Sequence, residues 1–199
     1  MTRTHEAHRR FPDGLAFMLN NPLRRFLSPP GRLVSKLKVG PKDVVLDFGC
    51  GPGFFTIALA KISAKTIGVD ISPRMLERAA GYARKNGVAV ELMQSDGRKI
   101  ELNDESVDLV LAVHVLHEVE DRPKVLGEFF RILRLGGRLA IVERTRGNGI
   151  LSGKLGPPII SEDDVIRETT RTGFTFAGTI AHGKDSIINA QKITPQKVT

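Results

Sequence analysis

Three aspartates stand at the ends of short β-branched runs: Asp47 in VVLDFGCGPG, Asp70 in TIGVDIS and Asp96 in ELMQSDG. A single aspartate after a strand is commonly a turn former or a helix cap. Three at successive strand ends are harder to explain that way, because ligands of open parallel sheets bind outside the carboxyl ends of the strands. Between the first two lies Gly49-Cys50-Gly51-Pro52-Gly53, a turn whose glycines let backbone approach a ligand before the chain enters a helix. A dinucleotide fingerprint requires a small residue at its sixth position; here that position is Phe54. Asp47, two residues ahead of the first glycine, would also oppose a pyrophosphate. The constellation therefore favours a ligand with cationic character.

A second group follows the fourth apolar run, in VHVLHEVED. His117 is the candidate general base, since imidazole titrates near neutral pH and the residue lies at the expected mouth of the site. The plainer alternative is a structural histidine that bonds the loop to Glu118 or Glu120. His114 and His117 are three residues apart, but no third ligand accompanies them, so no metal site is expected. Cys50 reads as a small loop side chain and not as a nucleophile.

These residues need a scaffold that brings strand ends together. The runs Val44–Phe48, Thr66–Asp70, Val90–Met93, Val107–Val113 and Arg138–Glu143 read as strands. Between them lie helical stretches over Phe54–Ile62, over Pro73–Asn86 with Ser72 as N-cap and Gly87 as stop, and from Asp121 to about Leu135 at the Gly136–Gly137 pair. Alternation of this kind predicts an α/β fold: a Rossmann-like three-layer sandwich with a parallel sheet and right-handed crossovers. Ser161-Glu162-Asp163-Asp164 resembles a capping box and opens a helix to about Thr172. Two strands then follow directly, Phe174–Ala181 and Ser186–Gln191, with His182-Gly183-Lys184-Asp185 as their turn. They predict an antiparallel terminal hairpin at the edge of the sheet. Arg144–Ile160, with four Gly and two Pro, reads as a long loop.

The chain has 199 residues, a net charge of +8 and one cysteine. That length suits one domain with a sizeable core and excludes a disulfide scaffold. No apolar run is long enough for a membrane span or a leader, and with the single thiol this leads us to expect a cytoplasmic protein. Residues 1–42 hold nine Lys/Arg against Glu6 and Asp13. We read residues 1–42 as a basic helical segment covering the site, 43–193 as the ligand-binding domain and 194–199 as a tail. A basic arm steers anionic substrates or nucleic acid, or is simply a solvated helical face.

The motif D-F-G-C-G-P-G followed by an acidic strand end resembles the class I S-adenosylmethionine-dependent methyltransferases, in particular the small-molecule branch of ubiquinone/menaquinone type. VHVLHEVEDRPKVLGEFFRILRLGGRLAIVE is similar to that branch's fourth strand through its fifth. The resemblance covers about Lys42–Glu143 and implies a seven-stranded sheet whose last strand inserts antiparallel. It implies S-adenosylmethionine as cofactor and S-adenosylhomocysteine as product. Asp47, Gly49, Cys50, Gly51 and Gly53 would surround the methionine moiety, and Asp70 would accept from both ribose hydroxyls. Ile71 and Met75 would pack on the adenine, and Asp96 with the Gly97 backbone would receive its amino group. Val113 and His114 would face the sulfonium and its methyl.

The expected activity is methyl transfer to a small-molecule acceptor by in-line displacement, with no membrane span. Arsenite is excluded as acceptor by the lone thiol. Exocyclic base methylation is disfavoured because Ala112-Val113-His114-Val115 lacks the Asn/Asp-Pro-Pro-aromatic signature. Two alternatives stand behind this reading: a nucleic-acid-directed methyltransferase or non-catalytic cofactor-binding module acting through the basic arm, and an NAD(P)-dependent oxidoreductase. The acceptor and the oligomeric state are not specified by the sequence.

Overall fold

The computed structural model describes residues 30–144 and 160–193. The order of elements is α1 (Pro30–Val34), a 3-10 turn (Ser35–Leu37), β1 (Val44–Phe48), α2 (Phe54–Ala60), β2 (Lys65–Asp70), α3 (Pro73–Asn86) and β3 (Glu91–Gln94). Then come β4 (Val107–Val113), a second 3-10 turn (Leu116–Glu118), α4 (Arg122–Ile132), β5 (Leu133–Arg144), α5 (Glu162–Arg171), β6 (Thr175–His182) and β7 (Asp185–Gln191).

The strands form one sheet in the order β3-β2-β1-β4-β5-β7-β6. Its first five members are parallel, while β7 runs antiparallel between β5 and β6. The chain leaves β1 toward β2 on one side, and β4 joins β1 on the other. This reversal of winding opens a crevice at the carboxyl ends of β1 and β4.

Two apolar layers hold the sheet. On one face Leu46, Ile67, Val110 and Ile141 pack beneath Phe129 and Ile132 of α4 and Val165 of α5. On the other, Val45, Leu109, Leu111 and Val142 meet Leu59 of α2 and Leu33, Val34 and Leu37. Each fully buried Leu or Ile contributes about 1.5–3 kcal/mol relative to exposure. The described part of the basic segment is therefore part of a core layer, with Lys36 Nζ donating to the Ala181 carbonyl at 2.8 Å. Residues 1–29, the loop residues 145–159 with Arg146, Ile150 and Leu151, and the tail 194–199 lie outside the described residues.

Local chemistry fixes the helix ends. Ser72 caps α3 by accepting from Met75 N–H, Asp121 caps α4 by accepting from Lys124 N–H, and Ser161 caps α5 by accepting from Asp164 N–H. Gly87, at φ 65°, closes α3 in the left-handed conformation.

The boundary between α4 and β5 departs furthest from the sequence reading. Helix α4 ends at Ile132, and β5 begins at Leu133 and not at Arg138. The Gly136–Gly137 pair does not cap a helix. Gly136 N–H donates to the Lys192 carbonyl at 2.7 Å, and Lys192 N–H donates to the Gly137 carbonyl at 2.9 Å. Tertiary pairing with the chain beyond β7 thus outweighs the local stop signal, and the pairing with β4 shifts register between Val107 and Leu109.

Candidate functional site

The candidate site is built on the carboxyl ends of β1, β2, β4 and β5. Strand β1 ends in Asp47-Phe48, and the glycine turn follows with Gly49, Gly51 and Gly53 all at positive φ (67°, 51° and 87°). At Gly49 the need for glycine is also steric, since a Cβ there would lie 2.4 Å from Val115 Cγ2. The glycine turn after β1 and the turn after β4 are thereby locked together across the crevice. At Gly51 a Cβ would meet nothing within 4 Å, so this part of the turn faces open space.

Asp70, the last residue of β2, organises the turn from the side. Its Oδ2 accepts from Gly51 N–H at 2.8 Å and its Oδ1 from Ser72 N–H at 2.9 Å. Each carboxylate oxygen accepts more than one hydrogen bond, so the geometry suits adjacent hydroxyl groups on a ligand. Ile71 beside it is 43% exposed, whereas Met75, in the first turn of α3, is buried.

Asp47 sits behind the turn. It is buried and accepts a hydrogen bond from Thr56 Oγ1, on α2, at 2.6 Å. Burial pushes its carboxyl from the ordinary 3.8 up to about 7; the Thr56 hydroxyl opposes the rise and the Asp70 charge adds to it. Cys50 is buried as well, and burial together with the charges of Asp47 and Asp70 raises its thiol, which disfavours a thiolate nucleophile.

Asp96 lies beyond β3. Its two oxygens are engaged by Arg98, the backbone N–H at 3.0 Å and Nε at 2.8 Å, and hydrogen bonding from that side chain holds the carboxyl below its usual range. Gly97 is at φ 84°, and a Cβ there would sit 2.6 Å from the Phe48 ring.

At the end of β4, Val113 is half-buried, and His114 just after it adopts φ 52°, a left-handed conformation unusual for a non-glycine residue. Its Nε2 lies 3.1 Å from Asp185 Oδ2 at the start of β7, and Arg144 Nε lies 3.6 Å from the other oxygen. Burial raises Asp185, but the hydrogen bond and charge of His114 and the Arg144 charge overcome it, leaving the carboxyl below its usual range.

His117 turns to β5. Its Nδ1 is 2.9 Å from Oε2 of Glu143, a buried carboxylate whose Oε1 accepts from Leu116 N–H at 2.9 Å. Its Nε2 lies 3.8 Å from Glu118 Oε1. Burial lowers His117, yet the Glu143 hydrogen bond with the Glu143 and Glu118 charges outweighs it, and the imidazole stands above its ordinary value. Glu118 is raised by burial, against the His117 charge and with the charges of Glu143 and Asp70.

The partner of His117 is therefore distant Glu143, not the neighbouring glutamates alone that the sequence offers. The two histidines have separate carboxylate partners, and no cluster of three or more His, Cys, Asp or Glu among the described residues is placed to hold a metal ion. Glu143, Thr56, Val115 and Asp185 were not singled out from sequence. For Glu143 a signal exists: it is an acidic residue closing the apolar run Leu139–Val142, at the same sheet edge as the three aspartates.

Residues 46–141 match a family model described as a methyltransferase domain. The chain is 35% identical over 120 residues to the demethylmenaquinone methyltransferase of Lactobacillus johnsonii, covering 58% of this chain and 49% of that protein. It is 36% identical over 113 residues to the 27-O-demethylrifamycin SV methyltransferase of Amycolatopsis mediterranei, covering 55% and 42% respectively. The chain thus spans about half or less of the length of these curated relatives. Its structure is similar to the crystal structure of a SAM dependent methyltransferase from Aquifex aeolicus, with a TM-score of 0.81 and 25% identity over 92% of this chain and 100% of that one.

Proposed function

We propose that the chain is a class I S-adenosylmethionine-dependent methyltransferase and that it carries the methyl group of S-adenosylmethionine to a small-molecule acceptor. The observation that carries this reading is Asp70, a carboxylate at the end of β2 with both oxygens aimed at the glycine turn and the start of α3. Such a group accepts from two vicinal ribose hydroxyls, and exposed Ile71 offers an apolar surface for the attached base. The open backbone at Gly51 and the acidic surroundings of Asp47, Asp70 and Glu118 suit a cationic, flexible tail. The names of the relatives, a demethylmenaquinone and a demethylrifamycin methyltransferase, support a small-molecule acceptor.

Bound there, S-adenosylmethionine supplies a methyl group already activated on a sulfonium, with a neutral thioether as leaving group. The protein has then mainly to align acceptor and methyl, where orientation is worth up to about 7–11 kcal/mol. Val113 and the His114 backbone, tied by His114 N–H to the Val142 carbonyl at 2.9 Å, form a fixed wall at the end of β4 for that alignment.

Calorimetric titration of S-adenosylmethionine, and separately of NAD, into wild type and Asp70→Ala tests the reading. Loss of charged hydrogen bonds costs about 1.5–3 kcal/mol, roughly tenfold or more in affinity. Binding of S-adenosylmethionine that Asp70→Ala weakens by that factor is the expected result. Folded wild type that ignores S-adenosylmethionine and takes NAD would sink it.

A further inference from the structure

We propose that Arg32, Lys36, Arg144 and Lys184 form an anion subsite over the carboxyl edge of β5, β7 and β6, and that the methyl acceptor is a small molecule carrying a carboxylate or phosphate; the inference rests on the methyl-transfer reading above. Side chains alternate between the two faces of a strand. Val142 of β5 and Ile187 of β7 lie in the apolar layer beneath α1. Arg144 and Asp185, each two residues nearer the edge and paired with one another, therefore stand on that same face. His182 of β6 is the next partner of Asp185. From the 3-10 turn after α1, Lys36 Nζ reaches the Ala181 carbonyl beside His182. Val113, at the end of β4, packs against the same layer. Glu143, the acidic neighbour of Arg144, points to the opposite face, where Leu116 N–H and His117 engage it.

Positive charge at this corner is in excess. The Asp185 carboxylate is already engaged by His114, and Arg144, 3.6 Å from it, keeps a half-exposed side chain. Among the described residues, Arg32, Lys36 and Lys184 form no ion pair. The α5 side of the sheet differs, since Arg122 is bound to Glu168 there and Arg167 to Asp164. His182 registers the excess: burial and the Lys36 and Arg32 charges hold its imidazole below the ordinary value, against the charge of Asp185. The crevice is thus divided by charge. Asp47, Asp70 and Glu118 make the β1, β2 and β4 side acidic, which suits a cationic cofactor; the β5, β7 and β6 side is basic and suits an anion. Strands lie about 4.8 Å apart, so the β7 end is about 10 Å from the wall at Val113. An acceptor of that span presents its reacting atom at β4 while the Arg144 fork and the Lys36 ammonium hold its anionic group.

The test titrates inorganic phosphate, 3-phenylpropanoate and 3-phenylpropanamide, at constant ionic strength, into the whole 15N-labelled chain with S-adenosylhomocysteine present. Backbone and histidine resonances report the binding. We expect saturable binding of phosphate and of the acid, with shifts centred on His182 and Lys184, and affinity for the acid roughly tenfold or more above that for the amide. The double variant Lys36→Met, Arg144→Met should lose this preference, and Lys85→Met, which removes an exposed cation of α3, should keep it. Arg32→Met and Lys184→Met, at exposed positions, should each weaken phosphate binding, and this holds the subsite to account even where the double variant fails to fold. Equal affinity for acid and amide, a preference that survives in the folded double variant, phosphate affinity unmoved in both single variants, or no saturable binding overturns the subsite. Single-stranded RNA that binds with a steep salt dependence and is displaced by phosphate overturns the small-molecule assignment. S-adenosylhomocysteine release is then followed with 4-hydroxy-, 4-amino- and 4-mercaptophenylpropanoate beside their amides. Turnover of the acids, with KM raised roughly tenfold and kcat nearly unchanged in the double variant, supports the proposal; equal kcat/KM for the amides refutes it. Calorimetric binding of S-adenosylmethionine in the same preparations separates these outcomes from failure of the methyl-transfer reading itself.

Discussion

Replacing Asp47 by asparagine should make the protein more stable above neutral pH and leave it nearly unchanged in mild acid. The carboxyl is buried, keeps one hydrogen bond from Thr56 and has Asp70 nearby, so its ionised form is disfavoured and its pKa rises from 3.8 to about 7. A carboxylic acid with a raised folded-state pKa binds its proton more tightly folded than unfolded. Wild-type stability therefore falls as pH rises from about 4 toward 7 and is level above that, as far as this group is concerned. At 1.36 kcal/mol per pKa unit, the fall is about 4 kcal/mol. Asparagine retains an acceptor for Thr56 and carries no charge, so the difference between the two proteins isolates this contribution. Urea unfolding of both at pH 4.5, 6, 7.5 and 8.5 is the assay, with the Asp47→Asn variant gaining on wild type across the interval. Parallel stability curves would refute the reasoning, because they would mean that Asp47 is ionised in the fold throughout. The same linkage predicts that a cationic ligand at the turn draws Asp47 into its charged form. Affinity of wild type for S-adenosylmethionine should then rise with pH through about 7, and that of Asp47→Asn should not.

Gly97→Ala forces φ 84° on a residue with a Cβ and drives that atom to 2.6 Å from the Phe48 ring; left-handed strain of about 1–2 kcal/mol and overpacking of about 1–3 should appear together in the urea midpoint, and a loss below about 0.5 kcal/mol would contradict them. Gly136→Ala, at φ 80° with open space around its Cβ, isolates the strain component and should cost only about 1–2 kcal/mol. Gly49→Ala should cost more than Gly136→Ala by the same unfolding measurement and, because its clash is with Val115, should also shift the His117 resonances; unchanged resonances would mean that the two turns are not coupled. Arg131→Met removes the partner of Glu128, whose side chain is only 10% exposed and also accepts from Ile100 N–H, and should destabilise by about 1–3 kcal/mol.

The scaffold was legible because its signals are local or periodic. VVLDF and VDLVLAV are β-branched and apolar enough to be central strands whatever surrounds them, and Ser72, Asp121 and Ser161 cap the helices that their sequence positions announce. The Gly136–Gly137 pair misleads because its hydrogen bonds go to residue 192, more than fifty positions away, and no window around the pair contains that information. The glycine turn was readable as a sharp strand-to-helix turn, yet the close approach that demands glycine at Gly49 comes from Val115, on another strand end.

The same distinction separates the acidic residues at the sheet edge. In sequence, Asp47, Asp70 and Asp96 look alike, each an aspartate closing a strand region before a turn. In the fold, Asp47 is buried behind its turn, Asp70 accepts from Gly51 N–H of that turn and from Ser72 N–H before α3, and Asp96 is held by Arg98 in the turn beyond β3. Only burial and partners divide them, and both depend on residues contributed by α2 and by the segments after β2 and β3. Glu143 shows the converse. Its apolar neighbours Leu139–Val142 mark it as the end of a core strand, and a buried carboxylate there requires hydrogen bonds that water cannot supply. Leu116 N–H and His117 supply them from the adjoining strand's turn. A buried acid at the carboxyl end of β5 thus calls for donors from the turn after neighbouring β4, an inference that needs the strand order β4-β5 and the polar group's demand for satisfaction together.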